Sequence, residues 1–154
     1  MKTVKDFDFK DNRVLLRVDF NVPISSSGQI LDDFRIQQSL PTIEYLKKSK
    51  SKIILISHLA LPNFAKQNLG GLGSKEKSPA SKPLAQNYSL ELISLRLEKL
   101  LGQKVKFLGD CLGEGVYQEI EKLQPSEVAL LENLRLHPEE ETNDSNFAKA
   151  LAEL

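Results

Sequence analysis

Short apolar runs alternate with longer amphipathic stretches along this chain, and the two periods predict its elements. Residues 13–19, Arg-Val-Leu-Leu-Arg-Val-Asp, read as a strand with a charge at each end, followed by turn-rich Ser25-Ser26-Ser27-Gly28. Ile36, Leu40, Ile43 and Leu46 make one stripe of a helix over 34–48, with Asp32 and Asp33 as its N-caps and lysines at its end. Pro41 falls inside that helix and is expected to kink it or to start its second half. The continuous apolar run at 52–57 is the kind a strand shows when both of its faces are covered.

Residues 60–89 break the pattern. The stretch LGGLGSKEKSPASKP is rich in Gly, Ser, Lys and Pro and predicts a long flexible loop, at about 30 residues longer than ordinary connections. Its GGLG lacks the spacing and the strand-to-helix setting of a phosphate-binding glycine loop, so it reads as linker. Ser89 then caps a periodic helix over 90–101 (Leu92, Ile93, Leu97, Leu100), closed by Gly102. A strand at 105–108, a helix at 112–123 and a buried-type strand at 127–131 follow. Asn143 and Asp144 open a last helix that is expected to run on at Leu154.

Strands alternating with helices define an α/β fold, a Rossmann-like three-layer α/β/α arrangement around a mostly parallel sheet. With the last helix open, that sheet is expected to be incomplete at the C-terminal end and to leave an apolar edge exposed, with poor solubility as the consequence. Composition agrees with a globular domain: 154 residues, 40% hydrophobic and 27% charged. No apolar run reaches the roughly 18 residues of a membrane span, and the N-terminus has no signal-peptide core, so no membrane association is expected. The single cysteine, Cys111, excludes an internal disulfide and fits a reducing cytoplasm, as a small buried hydrophobe. Net charge is zero but unevenly spread: residues 13–66 carry eight Lys/Arg against four Asp/Glu, residues 107–154 three against eleven. That distribution argues against nucleic acid and leaves room for a local anion site in the N-terminal part.

In parallel sheets ligands bind at the carboxyl ends of the strands, which selects the residues to weigh. After the first strand come Arg17, Asp19 and Asn21; after the second, His58; after the fourth, Glu132-Asn133-Leu134-Arg135-Leu136-His137-Pro138; and Arg35 opens the first helix. Each has a bland reading alone. Arg17 and Asp19 could pair with each other, Arg35 could be a solvated helix residue, Arg135 a surface loop residue and His137 structural. The triplet Glu139-Glu140-Glu141 reads as a solvated loop and helix approach. Collected on one face, however, these residues offer arginine forks for a phosphate or carboxylate, an Asp and an Asn for hydroxyls, and a histidine that can donate to a phosphate.

The motifs RVDFNVP (17–23), DDFRI (32–36), SHL..P (57–62), YSL (88–90) and ENLRLHPEEE (132–141) stand in the order found in phosphoglycerate kinases, and the chain resembles that family over essentially its whole length. The resemblance implies the N-terminal, phosphoglycerate-binding lobe, here residues 1–154, of a glycolytic enzyme that moves a phosphoryl group between 1,3-bisphosphoglycerate and ADP. The products are 3-phosphoglycerate and ATP. It implies that Asp19 and Asn21 bind the hydroxyl and carboxylate end of the substrate, that His58 and Arg135 hold the 3-phosphate, and that Arg17 supports the basic patch. Arg35 is implied to contact the substrate and, as the catalytic residue, to stabilise the migrating phosphoryl group. Mg-ATP or Mg-ADP is implied to bind to a C-terminal nucleotide lobe, with no cofactor or metal held by residues 1–154, and the complete enzyme to be a cytoplasmic monomer.

Two departures stand out. Where the family motif reads SHLGRP this chain has SHLALP, so Leu61 replaces an arginine that would grip phosphate, a loss of about 1.5–3 kcal/mol in binding. Lys66, Lys75 and Lys77 could compensate, as poorer forks. The second is length: a full family member continues into the nucleotide lobe, so residues 1–154 are expected to bind phosphoglycerate but not to turn over alone. The open last helix favours the N-terminal portion of a kinase. A stand-alone binding or regulatory domain, and one chain of a split kinase, remain as alternatives.

Overall fold

The computed structural model describes residues 2–25, 27–60 and 88–154. The expected loop at 60–89, with Leu61, Lys66, Lys75, Lys77 and GGLG, therefore lies almost wholly outside the described residues. Among the described residues, four strands form one parallel sheet: β1 (Arg13–Arg17), β2 (Lys52–Ile56), β3 (Val105–Phe107) and β4 (Val128–Leu130), in the order β1-β2-β4-β3. Five α-helices among the described residues accompany them: α1 (Phe34–Lys48), α2 (Glu91–Leu101), α3 (Glu114–Glu121), α4 (Pro138–Glu141) and α5 (Ser145–Ala152).

Side chains alternate across the strands and divide the core in two. Ile53, Leu55, Val105, Val128 and Leu130 face Ile36, Ile43 and Leu46 of α1 and Ile93 and Leu97 of α2. Ile54, Ile56, Ala129 and Leu131 face Val116 and Ile120 of α3 and Phe147 and Leu151 of α5. Helices on both faces explain why β2 and β4 read as unbroken apolar runs: each fully covered Ile or Leu contributes about 1.5–3 kcal/mol. The chain steps from β1 to β2 and on to β3 with α1 and α2 on one face, then steps back from β3 to β4 with α3 on the other. A single crossover hand requires that change of face when the direction reverses.

Local details differ from the sequence reading. Helix α1 runs through Pro41 without a break. Asp33 occupies its cap position, but its carboxylate accepts from Arg96 Nε (2.7 Å) and Gln37 Nε2 (2.7 Å), while Asp32 accepts the Phe34 N–H (2.8 Å). Ser89 accepts the Glu91 N–H (3.1 Å), and Gly102, at φ 62°, closes α2 in a left-handed conformation that costs glycine little. The last helix does not run on: α5 ends at Ala152, and Leu154 is buried. At the β1 edge, Val14, Leu15 and Leu16 are half-buried, Val14 and Leu16 packed against one core cluster and Leu15 against the other.

Candidate functional site

The carboxyl ends of β1, β2 and β4 lie side by side, and the loops leaving them are tied together by buried polar groups. Ser57, fully buried, accepts the Phe20 N–H (2.9 Å) and donates to the Val18 carbonyl (2.8 Å), locking the exit of β2 to that of β1. Asn21 Oδ1 accepts the Ala60 N–H (3.0 Å). Asn133, 0% exposed, accepts the Leu59 N–H (3.0 Å) and the Arg135 N–H (3.0 Å). Its amide nitrogen donates to the carbonyls of Leu59 (3.2 Å) and Tyr88 (2.9 Å). Glu132 accepts from Ser89 Oγ (2.8 Å) and from the Leu90 N–H (2.8 Å), holding the start of α2 against the end of β4. Bonds of this kind satisfy backbone groups that regular structure cannot reach.

On this frame sits a cluster of charges. Arg17 donates to Glu140 Oε1 (2.6 Å), and the Arg135 guanidinium lies 3.2 Å from Glu140 Oε2 and pairs with Glu141 as well. Arg35 pairs with Asp19. His58 stands within electrostatic reach of Arg135, Glu140, Arg17 and Asp19. Burial, together with the charges of Arg135 and Arg17, holds its imidazole below the usual 6.5, so it is neutral near pH 7. Its Nδ1 is buried without a hydrogen-bond partner, whereas Arg135 Nε and Glu140 Oε2 face each other as an ion pair. A buried ring nitrogen left unpartnered beside two arginines is uncommon in a protein interior and marks a place where a polar ligand can complete the bonding.

The structure thus brings Arg17, Asp19, Asn21, Arg35, His58 and Arg135 to one end of the sheet. It also corrects the reading of the acidic triplet. Glu140 is not solvated: its side chain is 8% exposed and clasped between two arginines, because α4 folds back over the strand ends. Nor do Arg17 and Asp19 pair with each other. His137 is structural, its ring 5.1 Å from that of Phe147 and its Nε2 3.4 Å from Asp110, whose carboxyl it holds below the usual range. Cys111 is buried and its Sγ donates to the Glu132 carbonyl (3.0 Å); burial pushes the thiol well above its usual range, which makes it inert. Among the described residues no group of three or more His, Cys, Asp or Glu is placed to hold a metal ion, and no helix is long and apolar enough to cross a membrane.

These features define a class first: a doubly covered parallel α/β domain with an arginine–histidine cluster at its strand ends. The phosphoglycerate kinase family model matches residues 4–154, and the chain belongs to that family. It is 42% identical to the phosphoglycerate kinase of Pelotomaculum thermopropionicum over 153 residues and 46% identical to that of Borrelia garinii subsp. bavariensis over 154, covering 99% of this chain in each case. The crystal structure of phosphoglycerate kinase from Pyrococcus horikoshii OT3 superposes with a TM-score of 0.76 at 31% identity, again over 99% of this chain. The chain spans about a third of the length of these relatives (34%).

Proposed function

We propose that this chain holds the phosphoglycerate substrate of a phosphoglycerate kinase at the strand-end cluster. One observation carries the reading: His58, with a buried and unbonded Nδ1, stands beside Arg17 and Arg135 at the carboxyl ends of a parallel sheet. His58 and Arg135 take the 3-phosphate, with Arg17 adding positive charge. Asp19 and the amide of Asn21 face the hydroxyl and carboxylate end. Glu140 and Glu141 neutralise the arginines before the ligand arrives, so the incoming phosphate exchanges carboxylate partners for its own oxygens. Arg35, now paired with Asp19, turns to the migrating phosphoryl group and stabilises charge on its equatorial oxygens.

The complete reaction moves that group between 1,3-bisphosphoglycerate and ADP to give 3-phosphoglycerate and ATP, a step of glycolysis in the cytoplasm. The nucleotide enters as its magnesium complex, bound by a C-terminal lobe outside residues 1–154, and the complete enzyme works as a monomer. Positioning and charge neutralisation supply the catalysis, with no covalent enzyme intermediate. Calorimetry of this chain tests the reading. Binding of 3-phosphoglycerate, weakened about ten- to hundredfold by Arg135→Ala, together with no binding of Mg-ATP, is expected. Tight nucleotide binding, or no phosphoglycerate binding, would overturn it. Binding by this chain with full transfer activity on its own would instead refute the need for a second lobe.

A further inference from the structure

The polar groups that tie the strand ends converge on one residue that does not itself belong to the charged cluster. Asn133 is completely buried, and all four of its side-chain hydrogen bonds go to backbone groups of other residues: the N–H and carbonyl of Leu59, the N–H of Arg135 and the carbonyl of Tyr88. Leu59 is the neighbour of His58. On the other side of His58, Ser57 is held to Val18 and Phe20 through its hydroxyl, and its carbonyl accepts the Leu134 N–H (3.1 Å). The backbone of His58 is therefore clamped from both flanks, and one flank depends on the same amide that fixes the start of the turn carrying Arg135. We propose that Asn133 is a positioning residue of the phosphate site, a single buried amide that sets His58 and Arg135 at a fixed distance from each other.

The inference rests on the reading of the cluster as a phosphoglycerate site. A tetrahedral phosphate accepts from His58 and from the Arg135 fork only when both lie at the right separation, and a displacement of about 1 Å can cost up to about a hundredfold. Asparagine suits the place because it offers two acceptor lone pairs and two donor hydrogens in one plane. Aspartate keeps the two accepted bonds but turns a carboxylate toward the carbonyls of Leu59 and Tyr88. Alanine removes all four bonds.

The test compares the wild-type chain with Asn133→Ala and Asn133→Asp, and with Leu151→Ala as a destabilised reference in α5, a helix that contributes no residue to the charged cluster. Two readouts are taken at a temperature where the variants are folded: 3-phosphoglycerate affinity by calorimetry, and the titration of His58 followed by its imidazole NMR signals. The expected result is affinity lower by about tenfold or more in Asn133→Ala, a smaller loss in Asn133→Asp, and a His58 midpoint shifted toward the exposed value in both. Leu151→Ala should lose thermal stability while keeping the wild-type affinity and His58 midpoint. Wild-type values in both Asn133 variants would overturn the proposal. So would failure of both to fold while Leu151→Ala folds, since Asn133 would then be a structural residue alone. If the wild-type chain binds no phosphoglycerate, the reading of the site fails, while the His58 titration still decides the role of Asn133.

Discussion

At the scale of single residues, His58 ties the site to pH. In the folded chain burial is the largest cause that lowers its pKa, Arg135 and Arg17 add to it, and Glu140 and Asp19 oppose it. The unfolded chain has no such environment and its histidine titrates near 6.5. Below that value the unfolded chain binds the extra proton first, so His58 costs the folded state nothing at pH 8 and destabilises it progressively as pH falls below about 6.5. His58→Gln should therefore flatten the stability–pH curve below about pH 6.5, measured by urea unfolding, and leave pH 8 little changed. An unchanged slope would contradict the burial of a neutral imidazole. His58, Arg135, Arg17, Asp19, Asn21 and Arg35 could be selected from sequence because each follows a strand or opens a helix. Asn133 also follows a strand, but its role as a tie was not legible, because Leu59, which it holds, lies 74 residues away. Glu140 could not be selected: Arg17 lies 123 residues away, and no local pattern distinguishes a carboxylate clasped by arginines from one in water.

Among the elements, those with complete covering were the most legible: β2 and β4 as unbroken apolar runs, α2 as a periodic stripe closed by Gly102. The ends of elements were less so, because capping is a competition among partners. Asp33 looked like the cap of α1, but Arg96, brought beside it by the packing of α2 on α1, takes its carboxylate and holds it below the usual range. Asp144, by contrast, caps α5 outright, accepting the N–H groups of Asn146 (2.9 Å) and Phe147 (2.8 Å). Asp144→Ala should cost about 1 kcal/mol, read as a lower melting temperature, and Asp144→Ser should recover most of it. Equal losses in both variants would show that the cap bonds are not what Asp144 contributes. Helix α5 covers the far face of the sheet from Phe147 to Leu151, so this loss should leave phosphoglycerate affinity untouched.

Across the whole molecule, the uneven charge has a structural meaning that composition alone does not reveal. The basic N-terminal part and the acidic C-terminal part pair with each other, Arg13 with Glu121 (2.6 Å) and Arg17 with Glu140 (2.6 Å), so β1 is bridged to α3 and α4 on two sides. Exposed pairs such as Arg13–Glu121 contribute little to stability. The Arg17–Glu140 pair matters more for what it does at the site, where it keeps a guanidinium aimed at the strand ends. The α/β class and the parallel sheet follow from the alternation of elements. The strand order β1-β2-β4-β3 does not, because it depends on which face each helix covers. The central claim is that the strand-end cluster, and no other surface of this chain, receives phosphoglycerate. Amide chemical-shift mapping with 3-phosphoglycerate addresses it most directly. Shifts that saturate together at residues 17–21, Arg35, residues 57–60 and residues 133–136, with α3 and α5 silent, are the predicted result. Shifts centred on another face, or none at His58 and Arg135, would contradict it.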